Sequence, residues 1–296
     1  MSADAGRIKC GVFPIGEWLI RRPSPLYDPV MIIDVHTHAF PDQLAARAMA
    51  QLQAETDQVI AVLDGTVGDL LKSMDRAGIA ASVVASIATK PTQFDSILRW
   101  SDTIRSERII PFPSLCPKSE GAVDQVRRVA AEGFRGIKLH PYYQQFLLDD
   151  ERVFPAYAAA VECGLVILMH CGFDIAFPRE RVADPARLVR VLEQFPKLRV
   201  IAAHLGAWMD WDEVEARLLG RPVYLDVSTC FDFMPREQAE RILRTHPPDY
   251  LVYGSDSPWV DQLRTLEQLR EFGLPPAVEA AVEGGNAAQL LAANRA

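Results

Sequence analysis

The chain has 296 residues, 49% of them hydrophobic, and a formal net charge of −8 at pH 7. This length allows a large core, while an acidic chain without clustered Lys and Arg is poorly suited to binding nucleic acid. The five cysteines form no C-x-x-C pair, and no run approaches the roughly 18 consecutive apolar residues of a membrane span. Because the start also lacks a signal-peptide pattern, we expect a cytoplasmic protein with neither nucleic-acid nor membrane partners.

Short, continuous apolar runs are typical of buried parallel strands. Eight of them occur, at residues 31–35, 81–87, 108–112, 134–139, 165–169, 198–203, 223–227 and 250–254. Helical patterns lie between or after them, at 67–77, 93–106, 119–132, 151–162, 184–195, 211–219, 235–245 and 260–272. The clearest begins at Asp184, a good N-cap, with Pro185 at the first helical position.

Strand alternating with helix eight times predicts a (β/α)₈ TIM barrel over residues 31–296. A doubly wound open sheet is the alternative, but no G-x-G-x-x-G follows the first strand, so its dinucleotide-binding form loses support. Residues 39–65 make an unusually long first connection, which is typical of a functional lid. Residues 1–30 precede the barrel as an extension, either flexible or an arm packed on a second copy in a homodimer.

Polar residues end several of the apolar runs, where the active sites of barrels lie. They are His36 and His38 after the first run, Lys138 and His140 at the fourth, His170 after the fifth, His204 after the sixth and Asp256 after the eighth. Five of the six histidines therefore fall at one end of the barrel. The sixth, His246, precedes two prolines after a helix, and we expect it at the surface.

His36 and His38 are spaced i and i+2, so both face the barrel axis, about 6–7 Å apart along the strand. Neutral imidazole nitrogens suit zinc and related divalent ions, and His170 and Asp256 can complete the ligand set from other strands. Each residue alone has a simpler explanation, as a hydrogen-bonded histidine or a turn aspartate. Their joint position predicts a metal site. Zinc is our first expectation, although manganese, cobalt and iron share such ligands.

The motifs DVHTHAF, GIKLHP, MHCG, AHLG and YGSDSPW resemble those of the amidohydrolase superfamily, and most closely its branch of aminocarboxymuconate-semialdehyde decarboxylase-like, metal-dependent hydrolases. The resemblance covers roughly residues 31–292 and implies a distorted barrel with metal at its C-terminal face. It implies that His36, His38, His170 and Asp256 are metal ligands and that Asp256 also takes a proton from water. His204 is then either a ligand of a second metal or an acid/base group.

Lys138 leaves the number of ions open. It shares a strand face with His140, and a charged lysine inside a barrel is costly unless paired. It can pair with Asp34 or a substrate carboxylate, reach solvent, or, as the resemblance to dihydroorotase-like members implies, form a carbamate that bridges two metals. We favour one essential ion, with Lys138 binding substrate or organising the site.

Metal-assisted attack of water on a small-molecule amide, lactam, lactone or ester is the expected reaction, with Asp256 or His204 moving the proton. Non-oxidative decarboxylation of a small unsaturated or aromatic acid is the alternative, and release of carbon dioxide would identify it. That reaction needs a cation for the carboxylate, for which Lys138 and Arg179 are candidates. His140 and Tyr143 are further candidates for substrate contact. A barrel that only binds a ligand is the third possibility, disfavoured by the full ligand set.

Overall fold

The computed structural model describes residues 31–292. The predicted extension at 1–30, and any homodimer contact it makes, lies outside the described residues. Eight strands alternate with helices, and the predicted (β/α)₈ barrel is confirmed. The strands are β1 Ile32–Thr37, β2 Ile79–Ala85, β3 Ile109–Phe112, β4 Gly136–Leu139, β5 Val166–Met169, β6 Arg199–Ala202, β7 Tyr224–Asp226 and β8 Leu251–Val252.

Helices follow the strands and form the outer layer. They are α1 Asp42–Gln53, α2 Val67–Ala77, α3 Phe94–Ile104, α4 Ala122–Ala131, α5 Phe154–Glu162, α6 Pro185–Gln194, α7 Trp211–Arg217, α8 Arg236–Thr245, α9 Gln262–Arg270, α10 Pro276–Ala280 and α11 Asn286–Ala292. A π-helix, Ala281–Gly285, joins the last two. As predicted, Asp184 is the N-cap of α6, and its side chain accepts hydrogen bonds from Ala186 N and Arg187 N. Among residues 31–292, no helix is long and apolar enough to cross a membrane.

Two parallel sheets, β1–β3 and β4–β8, close the barrel at two seams. At one seam Lys138 N donates to Pro113 O, at 2.9 Å. At the other, Val35 N donates to Tyr253 O at 2.9 Å and Asp256 N donates to His36 O at 2.7 Å. This second seam brings two predicted metal ligands, from the first and last strands, next to each other.

An irregularity in β1 turns His36 into the barrel. Asp34 pairs with Ser82 of β2 and Thr37 pairs with Val84, so β1 has one residue more than β2 over this interval. Ile33 and Val35 pack in an apolar cluster inside the barrel with Val83 and Leu168. In a regular strand the side chain of His36 would point away from the side chains of these two residues. Strict alternation would put His36 on the opposite face, but the extra residue re-aims the strand, and His36 contacts Lys138 across the interior.

Two expectations need correction. The first connection contains a helix, α1, which was not predicted, although Leu44, Ala48 and Leu52 lie on one helical face. His246 is not at the surface: it is buried, and its Nε2 lies 2.9 Å from Val223 O. The reason is that α8 ends directly beneath the start of β7, where the histidine packs.

The C-terminal π-helix approaches the start of β1 closely. A Cβ atom built on Gly284 would lie 1.7 Å from Met31 O, whereas one on the adjacent Gly285 would lie 3.5 Å from its nearest neighbour, Ala280 O. We predict that Gly284→Ala lowers the free energy of unfolding by about 1–3 kcal/mol or more, because backbone must move. Gly285→Ala, the matched control, should not lower it, because the added methyl group fits and alanine is the better helix former. Urea unfolding of both variants tests this; equal midpoints would contradict the proposed close approach.

Candidate metal centre and cavity

His36 and His38 present the same nitrogen to the barrel interior. The Nδ1 of His36 donates to Asp226 Oδ2 at 3.0 Å, and the Nδ1 of His38 donates to Ala85 O at 2.8 Å. These hydrogen bonds assign the tautomers, so each Nε2 carries a lone pair. The two Nε2 atoms lie 3.4 and 3.3 Å from Asp256 Oδ1. The structure therefore brings together three of the four predicted ligands.

Asp256 is held from several directions. Its backbone has φ of +66°, a conformation unfavourable for a residue with a side chain. Thr229 Oγ1 donates to its Oδ2 at 3.0 Å, which leaves Oδ1 facing the two histidines. Strained backbone of this kind persists where surrounding contacts enforce it, often at functional sites.

His170, the fourth predicted ligand, lies with His204 rather than in this group. Its Nε2 donates to Phe173 O at 2.9 Å, and His204 Nδ1 donates to Ser228 O at 3.2 Å. Their remaining nitrogens, His170 Nδ1 and His204 Nε2, face each other at 3.3 Å. Burial lowers the pKa of His204 to about 4 and also lowers that of His170, so both rings are neutral at pH 7.

Lys138 is 1% exposed and lies between these residues. Its Nζ donates to His36 Nε2 at 3.0 Å. It neither reaches solvent nor pairs with Asp34, because Asp34 accepts hydrogen bonds from Ser255 and Gln262 instead. Burial lowers the pKa of Lys138 to about 8, opposed by the charges of Asp256 and Asp226. A neutral amine is therefore accessible near neutral pH.

Asp226, at the end of β7, was not identified from the sequence. Its Oδ2 accepts from His36 Nδ1, and its Oδ1 accepts from the backbone N–H of His204 at 2.9 Å and of Ser228 at 3.0 Å. It is fully buried. An aspartate inside an otherwise apolar strand run was the available signal, because a buried carboxylate needs several donors.

His140 and Asp174 form a neighbouring group. The His140 ring stacks on His170 with centroids 4.1 Å apart, and its Nε2 lies 3.4 Å from Asp174 Oδ2. The Nδ1 of His140 is buried without a hydrogen-bond partner. Asp174 was not identified from the sequence, because it follows β5 within a loop, where neither a strand period nor a helix period applies to its four-residue spacing from His170.

A cavity of about 580 Å³ opens above these side chains, within the usual size range of small-molecule sites. Tyr143 lines it, but its hydroxyl donates to Glu55 Oε2 at 2.6 Å, which links the first connection to the loop after β4. Arg179 is not among the lining residues. Its exposed guanidinium stacks on Phe173, 4.2 Å from the ring centroid, and donates to Met209 O.

The donor set fits a divalent cation. His36, His38 and Asp256 each offer one atom within 4.8 Å of the others, with nitrogen and carboxylate chemistry that suits zinc. The facing lone pairs of His170 and His204 repel each other unless a proton or a cation lies between or beside them. The hydrogen bonds from the remaining ring nitrogens to Asp226, Ala85 and Phe173 are of the kind that orients metal-binding histidines.

The comparisons with known proteins assign the chain to a family. The family model described as Amidohydrolase matches residues 33–292, and the chain belongs to this family. Its superfamily consists of metal-dependent enzymes, hydrolases and decarboxylases among them.

A dihydroorotase of Pseudomonas syringae pv. syringae is 29% identical over 157 residues, covering 49% of this chain and 45% of that protein. The chain thus matches about half the length of such curated relatives. An uncharacterised TIM-barrel protein of Bordetella bronchiseptica superimposes with a TM-score of 0.71 and 20% identity, over 88% of this chain and 98% of that one. The 5-carboxyvanillate decarboxylase of Sphingomonas paucimobilis gives a TM-score of 0.65 and 14% identity, over 89% and 99%. At these identities the two solved structures support the fold alone.

We predict that Asp226→Asn weakens metal binding by roughly 10- to 100-fold, because its amide cannot accept from both His36 and the His204 backbone. Competition with a chelator measures the affinity. Asp232→Asn, at an exposed ion pair with Arg264, is the matched control and should leave it unchanged. Equal affinities in the two variants would remove Asp226 from the metal site.

Proposed function

We propose that the protein is a metal-dependent hydrolase that uses water to cut a C–N or C–O bond of a small-molecule amide, lactam, lactone or ester. The convergence of His36, His38 and Asp256 at the floor of a closed-ended cavity carries this proposal. A divalent cation bound there would lower the pKa of water toward 7 and polarise a carbonyl. The dihydroorotase similarity, over half of each chain, is consistent with hydrolysis of a cyclic amide.

The chain's own groups would position and move protons. Asp256 Oδ1 faces the two histidines and can accept a proton from attacking water, while Thr229 prevents its carboxylate from rotating. Asp226 holds His36 and the backbone of His204 in register. A ligand that fills the cavity would displace water from it, which would strengthen these electrostatic interactions.

The number of metal ions that the site can hold depends on whether the Lys138 side chain is an ammonium group or a carbamate. An ammonium 3.0 Å from His36 Nε2 would repel a cation bound to that nitrogen. Addition of carbon dioxide to the neutral amine, with loss of one proton, gives a carbamate anion that removes this repulsion. The facing nitrogens of His170 and His204 would supply two neutral donors to a second cation. We therefore propose two ions with carbamylated Lys138, in place of the one-ion site expected from the sequence. That one-ion site, with Lys138 binding substrate or organising the site as an amine, is the alternative.

The positions of the lysine and arginine side chains favour hydrolysis over decarboxylation. A leaving carboxylate needs a positive group, and among the described residues Lys138 is the only lysine or arginine that lines the cavity. Arg179, the second candidate, lies outside it. Dihydroorotate, simple lactones and esters should therefore be tested for hydrolysis, and aromatic acids for release of carbon dioxide. Carbon dioxide release without any hydrolysis would overturn the proposed reaction.

The paired substitution His36→Ala with His38→Ala should abolish both metal content and hydrolysis, because two ligands are lost. Elemental analysis and a hydrolysis assay measure the two effects. His246→Gln is the matched control, because this histidine lies at the other end of the barrel and glutamine can still donate to Val223 O. Full metal content in the double variant would reject the assignment.

The substitution His204→Asn distinguishes a site with two metal ions per chain from a site with one. With two ions, this variant should lose about one equivalent of metal while the fold, followed by circular dichroism, is kept. If His204 is instead an acid/base group beside a single ion, metal content stays at the wild-type level and turnover falls by roughly 10²–10⁴-fold.

A further inference from the structure

The upper cavity has apolar walls. Helix α1 presents one face to it, with Leu44, Ala48 and Leu52 at four-residue spacing. Ile87 and Trp100 line it from other elements. Leu44 is 50% exposed at this wall, although large apolar side chains are usually buried. A ligand that fills the cavity would cover it.

The charges on the cavity wall are mainly negative. Among residues 31–292, Lys138 is the only lysine or arginine that lines the cavity. It is buried at the floor and contacts His36. Glu55 and Asp174 add carboxylates beyond that of Asp256. Tyr143, which could donate to an anion, already donates to Glu55. An anionic group of a ligand held above the floor would lose its hydration shell and find no positively charged side chain on the wall.

We infer that the substrate of this site has an uncharged, apolar non-reacting part, and that the inner face of α1 determines this specificity. The inference rests on the proposed function, because it describes the substrate of the same site. It separates this chain from enzymes whose substrates carry a carboxylate away from the scissile bond, dihydroorotate included. An aliphatic or aromatic amide, lactone or ester matches the walls.

Two metal-chelating probes of equal length test the inference by equilibrium binding, without a catalytic assay. Hexanohydroxamic acid and the monohydroxamate of adipic acid share the metal-binding group and differ by a terminal methyl or carboxylate. Calorimetry on zinc-loaded full-length protein should give a dissociation constant roughly tenfold or more lower for the methyl-ended probe. Equal or tighter binding of the carboxylate-ended probe would overturn the inference, and so would binding of neither probe.

Ala48→Arg places a cation on the inner face of α1. It should tighten binding of the carboxylate-ended probe by about three- to fivefold and weaken binding of the other. Ala46→Arg, on the exposed side of the same helix, is the matched control and should change neither constant. Identical behaviour of the two variants would remove α1 from specificity. Protein that binds the methyl-ended probe but hydrolyses no amide, lactone or ester contradicts the proposed reaction and leaves the substrate class standing.

Discussion

A buried carboxylate at the seam between β1 and β8 positions the rest of the site. Asp34 accepts hydrogen bonds from the backbone N–H of His36 and Ser255, from Ser255 Oγ and from Gln262 Nε2. It thereby ties the first strand, the loop after the last strand and α9 together. Burial raises the pKa of Asp34 to about 7, opposed by these hydrogen bonds. Because His36 and Asp256 lie on the two sides of this seam, its closure sets the distance between them.

The floor and the walls of the cavity have different roles. The floor contains histidines and carboxylates whose orientations are fixed by buried partners such as Asp226 and Ser228. The walls come largely from the first connection and from loops after the strands, where sequence can vary without moving the floor. We therefore propose that the reaction class depends on the floor and that the choice of substrate depends on α1 and its neighbours.

The alternation of eight strands with the helices α2 to α9 could be predicted because buried parallel strands and amphipathic helices have distinct periods. Helices α1, α10 and α11 were not predicted. Strand ends also located the histidines and Asp256 correctly at one end of the barrel. Which nitrogen of each histidine faces which neighbour could not be predicted. That depends on the extra residue in β1 and on hydrogen bonds from Asp226, which is far away in sequence. For the same reason the pairing of His170 with His204 is visible only in three dimensions.

The central claim is that a divalent ion binds between β1 and β8. Anomalous diffraction from crystals of the full chain grown with zinc tests it most directly. The account predicts a peak about 2.0–2.2 Å from His36 Nε2 and His38 Nε2, with Asp256 adjacent. Peaks confined to surface residues, with none at the cavity floor, would contradict it.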